Sequence, residues 1–178
     1  MTALSWVMLT MLCVTVGCRY APDVPNDQAS RQALSLLMPR RIEIVEAFTA
    51  WASFDGKPGI DGIVVNVQPI NTMNDPIQAS GRMAVELYAF RPASGDAKGN
   101  RLERWELLLG TSEDQLRWWN RATQMYEFAL EISPQAEKAS PGQKFVLLVT
   151  HESPLGEHQS AELVLDVPLA QHVLTQSD

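Results

Sequence analysis

The chain has 178 residues, 46% of them hydrophobic, and carries 14 Lys plus Arg against 21 Asp plus Glu, a net charge of −7. An acidic chain without a basic stripe argues against a nucleic-acid binder and against overall electrostatic adhesion to anionic lipid. The apolar content is that of a globular protein rather than a disordered one, and no internal repeat or low-complexity tract interrupts it.

Met1 to Cys18 contains no charged side chain. Leu4 to Val16 forms an apolar run of signal-peptide length, and Gly17 supplies the small residue that peptidase cleavage needs. The run ends at Thr15-Val16-Gly17-Cys18, which resembles the lipobox of bacterial lipoprotein signal peptides. The resemblance implies cleavage between Gly17 and Cys18, diacylation of Cys18, and a chain anchored to a membrane of the cell envelope, facing the periplasm or the exterior. Cys13 would leave with the signal, so Cys18 would be the sole cysteine of the mature chain and no disulfide could form within it. The pattern departs from the lipobox at Thr15, where leucine is usual, and in lacking Lys or Arg before Cys18. Two other readings are a cleaved secretory peptide with a free Cys18 and an uncleaved anchor helix.

Residues 18–40 read as the lipidated cysteine and a flexible tether. Arg19 to Ala33 carries Pro22, Pro25 and almost no large apolar residue, and about 15 residues of coil would span some 20–25 Å. Leu34 to Met38 allows a short helical turn before Pro39.

From Arg41 the pattern turns to period two. Strands are expected at Arg41–Phe48, Gly62–Pro69, Gly81–Phe90, Arg101–Leu109, Met125–Ile132, Lys144–Thr150 and Gln159–Val167. In the third, Met83, Val85, Leu87 and Ala89 share a face. The sixth, Phe145-Val146-Leu147-Leu148-Val149, is apolar on both faces and should be covered on both. Turn residues separate these runs. The spacing suggests an antiparallel seven-stranded immunoglobulin-like β-sandwich over residues 41–168, with a C-terminal tail at 169–178. The Cys…Trp…Cys spacing of antibody domains is absent.

One helix breaks the rhythm, at about residues 112–122, with Ser112 as its cap and Gln115 reaching back. Adjacent tryptophans on a helix point about 100° apart, so Trp118 and Trp119 can both be buried only in a groove. The helix either plugs one end of the sandwich or exposes a tryptophan to a partner protein or glycan.

The chain lacks the common nucleophile, phosphate-loop, dinucleotide and zinc-protease motifs. His151 and His158 flank Glu152-Ser153-Pro154-Leu155-Gly156-Glu157 and could form a metal clip if a symmetric four-residue loop closed Glu152 on Glu157. Pro154 and Gly156 instead favour a bulged turn pairing Ser153 with Glu157 and Glu152 with His158, which sends His151 to the other face. Asp55, Asp61, Asp96 and Glu137 fall in loops at one end of the sandwich, a grouping that resembles the Ca²⁺ loop sites of C2-type sandwiches. Turn chemistry explains the same acids without a metal. Arg101, Glu103, Arg104 and Glu106 alternate in sign, as on a solvated face with salt bridges to a neighbour such as Glu86.

Arg41-Ile42-Glu43-Ile44-Val45, Phe54-Asp55-Gly56-Lys57-Pro58, Glu86-Leu87-Tyr88, Trp119-Asn120 and Ser153-Pro154-Leu155-Gly156-Glu157 make Arg41 to Val167 similar to a group of uncharacterised bacterial lipoproteins. That resemblance carries no activity. The expectation is a non-catalytic binding or scaffolding module without cofactor, attached to the membrane through its lipid. Two alternatives stand beside it: a metal-dependent hydrolase or metal carrier using His151 and His158, and a structural subunit of an envelope assembly.

Overall fold

Alternating apolar residues can bury one face of a strand only against a second sheet, and this chain forms two. The computed structural model describes residues 28–57, 59–92, 95–133, 140–168 and 174–175. The signal segment, Cys18, the first part of the tether, Glu137 and His172 lie outside the described residues.

The elements run α1 (Gln28–Leu37), β1 (Arg41–Ile44), a 3-10 turn (Glu46–Phe48), β2 (Ala50–Ser53), β3 (Gly62–Ile70), β4 (Arg82–Phe90), β5 (Lys98–Leu108), α2 (Ser112–Trp118), β6 (Trp119–Asn120), β7 (Met125–Glu131), β8 (Lys144–Glu152), β9 (His158–Asp166) and β10 (Leu174–Thr175). One sheet has the order β10-β2-β3-β7-β6, with β1 also paired to β3, and the other has the order β5-β4-β8-β9. All pairings are antiparallel except β10 with β2. The protein is mainly β, as expected.

Each of the seven expected runs contains a strand, but the described residues also hold three short strands that the pattern does not give. The first run is broken. β1 pairs Ile44 with Val67, and β2 resumes on the same neighbour at Ala50 with Val64. Three polar groups mend the gap: Val45 N–H donates to Asn66 O at 2.8 Å, Asn66 N–H to Thr49 Oγ1 at 3.1 Å, and Asn66 Nδ2 to Phe48 O at 2.7 Å. Asn66 and Thr49 are buried there, which a polar side chain tolerates only when so bonded. The tether reading is corrected as well, because helix α1 already begins at Gln28.

The facing sheets enclose Ile63, Val65 and Val67 of β3, Met83, Val85 and Leu87 of β4, Tyr126, Phe128 and Leu130 of β7, and Phe145, Leu147 and Val149 of β8. β8 lies between β4 and β9, and its apolar character on both faces reflects that central place, with Val146 buried on the outer side. Two tryptophans join the sheets along opposite flanks. Trp51 of β2 sits edge-on to Phe145, 5.2 Å between centroids, and its indole N–H donates to Asp166 O of β9 at 3.0 Å. Trp105 of β5 donates to Glu131 O of β7 at 3.0 Å.

On the outer face of the second sheet, the register shifts between Leu87 paired with Glu103 and Tyr88 paired with Arg101. The extra residue, Leu102, is a bulge that puts Arg101 on the same side as Arg104. Both guanidiniums then reach the nearly buried Glu86, at 2.6 and 3.2 Å. Glu103, still in the regular register with Trp105, faces the first sheet, where it accepts from Ser133 N–H at 3.1 Å.

The two indole bonds predict unequal losses. Trp51→Phe, which strands a carbonyl and opens space in the core, should cost about 2–3 kcal/mol. Trp105→Phe, at a half-buried edge that water can reach, should cost about 1 kcal/mol or less. Urea denaturation of the two variants beside the parent checks the order.

Candidate binding site at the end of helix α2

Helix α2 starts at Ser112, and its cap lies one residue earlier than expected. Thr111 is its cap: the hydroxyl accepts from Asp114 N–H at 3.1 Å, and the Asp114 carboxylate accepts from Thr111 N–H at 2.9 Å. Hydrogen bonds from Thr111 hold the Asp114 carboxyl below the usual carboxylate range. Gln115 is therefore released from capping and turns inward. Its Nε2 donates to Ala79 O at 2.8 Å and Leu109 O at 2.9 Å, while its Oε1 accepts from the Tyr126 hydroxyl at 2.6 Å. The same hydroxyl accepts from Ala79 N–H at 2.9 Å. Burial pushes the Tyr126 phenol up to about 12.

The expected helix to residue 122 stops at Trp118, because Trp119 adopts extended backbone with φ −86° and ψ 114°. Ending the helix between the tryptophans removes the 100° divergence between them. Trp118 packs edge-on against Phe128 at 5.5 Å and Trp119 edge-on against Tyr126 at 4.9 Å, with Tyr126 and Phe128 stacked at 5.8 Å. Arg117 lies 4.5 Å above the Trp118 ring, a cation–π contact. Both tryptophans are half-buried, so each gives one face to the core and leaves the rest at the surface.

Beside them, Arg117, Trp118, Trp119, Asn120, Glu127 and Ala129 line an open depression of about 340 Å³. A second depression of about 540 Å³, on the other flank of α2, includes Gln78, Ser80, Thr111, Leu116 and Arg121. The first adjoins an unfinished sheet edge. β6 pairs only with Met125 and Tyr126, so among the described residues Glu127 to Glu131 have a strand on the β3 side alone. Ile132 N–H donates to Asp61 O in the β3–β7 register, which directs the backbone groups of Phe128 and Leu130 to β3 and those of Ala129 and Glu131 outward. The Trp105 indole already occupies the Glu131 carbonyl. An exposed edge with outward N–H and C=O groups is a template for an added strand.

The histidines do not share a site. Ser153 N–H donates to Glu157 O at 2.9 Å and Gly156 N–H to Ser153 O at 2.9 Å, with Gly156 at φ +79°, so the hairpin is the bulged turn. His151 pairs with Gln159 and is buried, its Nε2 3.0 Å from Ser80 O and its Nδ1 2.9 Å from the Gln159 side chain. His158 is exposed, opposite Glu152 in the register. The Glu152 carboxylate bonds to Arg82, which holds its carboxyl low, rather than to His158.

The loop acids serve turns. Asp61 accepts from Phe54 N–H at 2.7 Å and Asp55 N–H at 2.9 Å. The Lys57 ammonium and N–H hold the Asp55 carboxyl at about 2. Asp96 accepts from Lys98 N–H at 2.9 Å in the loop between β4 and β5. Among the described residues, no group of three or more His, Cys, Asp or Glu side chains is placed to hold a metal ion. Comparison with protein-family models, curated proteins and solved structures finds no match in any of the three.

The sequence singles out Trp118 and Trp119 as a candidate surface and gives Gln115 a capping role, whereas Tyr126 and the β7 edge carry no signal of their own. Tyr126→Phe should cost about 1–2 kcal/mol, since Gln115 Oε1 loses its donor. Because the folded phenol titrates near 12 rather than at its ordinary 10.0, its contribution is complete below pH 10 and is lost as pH rises through about 12. Urea melts from pH 9 to 12 should fall more steeply for the parent than for Tyr126→Phe.

Proposed function

We propose that the protein is a lipid-anchored, non-catalytic binding module of the bacterial cell envelope, attached through Cys18 and engaging an envelope protein along β7 beside Trp118 and Trp119. The observation that carries the reading is the juxtaposition of an aromatic-lined depression with an unpaired strand edge. Main-chain bonds from Ala129 would supply affinity for an added strand, and the tryptophan faces would supply contact area at low entropic cost. Glu127, Ala129 and Glu131 are exposed on this edge and acidic at two of three positions, which favours a strand with basic side chains. It also disfavours self-pairing, since a second β7 centred on Ala129 would set Glu127 against Glu131.

We further read the sandwich as immunoglobulin-like. With the broken first strand, β1 and β2, counted once and the two short strands β6 and β10 set aside, the remaining strands fall into sheets ordered 1-2-5 and 4-3-6-7. This differs from the constant-type arrangement in placing the fourth strand beside the third. The metal-dependent hydrolase or carrier would need His151 and His158 on one face, and they lie on two.

Two measurements test the proposal. Intact mass and membrane fractionation should show loss of residues 1–17, a lipid-sized gain at Cys18, and release from the membrane in Cys18→Ala; an unprocessed, unlipidated chain would end the anchor reading. A photo-crosslinker at Glu127 should yield a protein adduct in intact envelopes that disappears with Ala129→Pro, a change an outward-facing edge N–H tolerates. A glycan adduct, or a protein adduct indifferent to the proline, would overturn strand addition.

A further inference from the structure

Helix α1 leaves an apolar face uncovered. Ala29, Ala33, Leu36 and Leu37 are exposed, Leu36 at 53% and Leu37 at 71%. At 100° per residue these four positions fall within an arc of about 100°, with Gln28 on the far side. Among the described residues, no strand makes an extended contact with the helix. After it the chain joins the first sheet, where Pro39 is buried and Arg40 N–H donates to Ile70 O at 2.7 Å.

Charge singles out the same segment. Residues 28–40 contain Arg31 and Arg40 and no Asp or Glu, a local charge of +2 in a chain of net −7, while Arg41 is paired with Glu43 at 2.7 Å. The acidic balance that argues against general adhesion to anionic lipid therefore does not extend to this stretch. Position narrows the occupant further. Nine residues separate Cys18 from Gln28, and a coil of that length spans roughly 15–18 Å, which keeps the helix within reach of the headgroups. A second copy is a poor fit, because a ten-residue helix is about 15 Å long and cannot by itself bury the roughly 1,200 Å² of a stable dimer.

We propose that α1 is an interfacial helix that lies on the membrane holding Cys18, with Leu36 and Leu37 in the headgroup–acyl boundary and Arg40 near anionic headgroups. The proposal rests on the reading of Cys18 as acylated. Such a helix turns the tether from a loose leash into a second attachment that keeps the sandwich close to the surface.

The test uses the processed, full-length protein in vesicles of phosphatidylethanolamine and phosphatidylglycerol. With Cys13 removed and Cys18 acylated, Leu37→Cys or Gln28→Cys provides the sole thiol for an environment-sensitive fluorophore. The probe at position 37 should emit to the blue and be quenched several-fold more strongly by acyl-chain bromines than the probe at position 28, and the contrast should weaken when phosphatidylglycerol is omitted. Equal, water-like emission at both positions on an acylated protein would overturn the interfacial helix while leaving the anchor intact. Intact mass of the same sample separates the two failures: an unacylated Cys18 removes the premise, whatever the probes report.

Discussion

Three consecutive residues between β3 and β4 hold the end of this sandwich together. Ala79 bonds to Tyr126 of the first sheet and to Gln115 of α2, Ser80 faces His151 of the second sheet, and the Gly81 carbonyl accepts from Leu109 N–H at 2.9 Å. Gly81 has φ +128°, and a Cβ there would stand 2.2 Å from Glu152 O, so no other residue fits without moving the backbone. The strap is a crossing loop whose polar groups at Ala79 and Ser80 are met by side chains, with Gly81 held by an extension of the β4–β5 ladder. Its geometry sets where α2 docks, and α2 in turn sets where the tryptophans rest.

The strands were legible because each has a buried and a wetter face, and period two records that directly. What escaped was decided by contacts between segments distant in sequence. Nothing local in Val45 to Thr49 announces a break, since Asn66 on the neighbouring strand is what satisfies it. The bulge at Leu102 is invisible in a run of alternating signs, yet it decides that Arg101 and Arg104, three apart, share Glu86. Helix α1 was hidden by composition: Gln, Ser and Ala favour or tolerate a helix, but beside two prolines they read as coil.

The site was legible in part for the same reason. Pro154 and Gly156 prescribe a turn, and the turn fixes the faces of His151 and His158 without any tertiary information. The paired tryptophans mark the region of the candidate site, but the expected divergence assumed that the helix continued past Trp118. The choice of Thr111 over Ser112 as cap shifts the frame by one residue, and that shift turns Gln115 from a capping group into a partner for Tyr126. The β7 edge could not be read at all, because strand order within a sheet leaves no mark on the strand itself.

β1, β3 and β7 lie side by side in one sheet. A molecule held at its N-terminal side and gripped at β7 would carry tension across two neighbouring ladders, β1 to β3 and β3 to β7, without routing it through the ladders of the second sheet. The four-residue β1 ladder, extended by the Arg40–Ile70 bond, is then the shortest link in the line, and it sets the force at which the module would begin to peel. The second sheet meets that line where β9 packs against β1, so its contribution to mechanical strength enters at the weakest link.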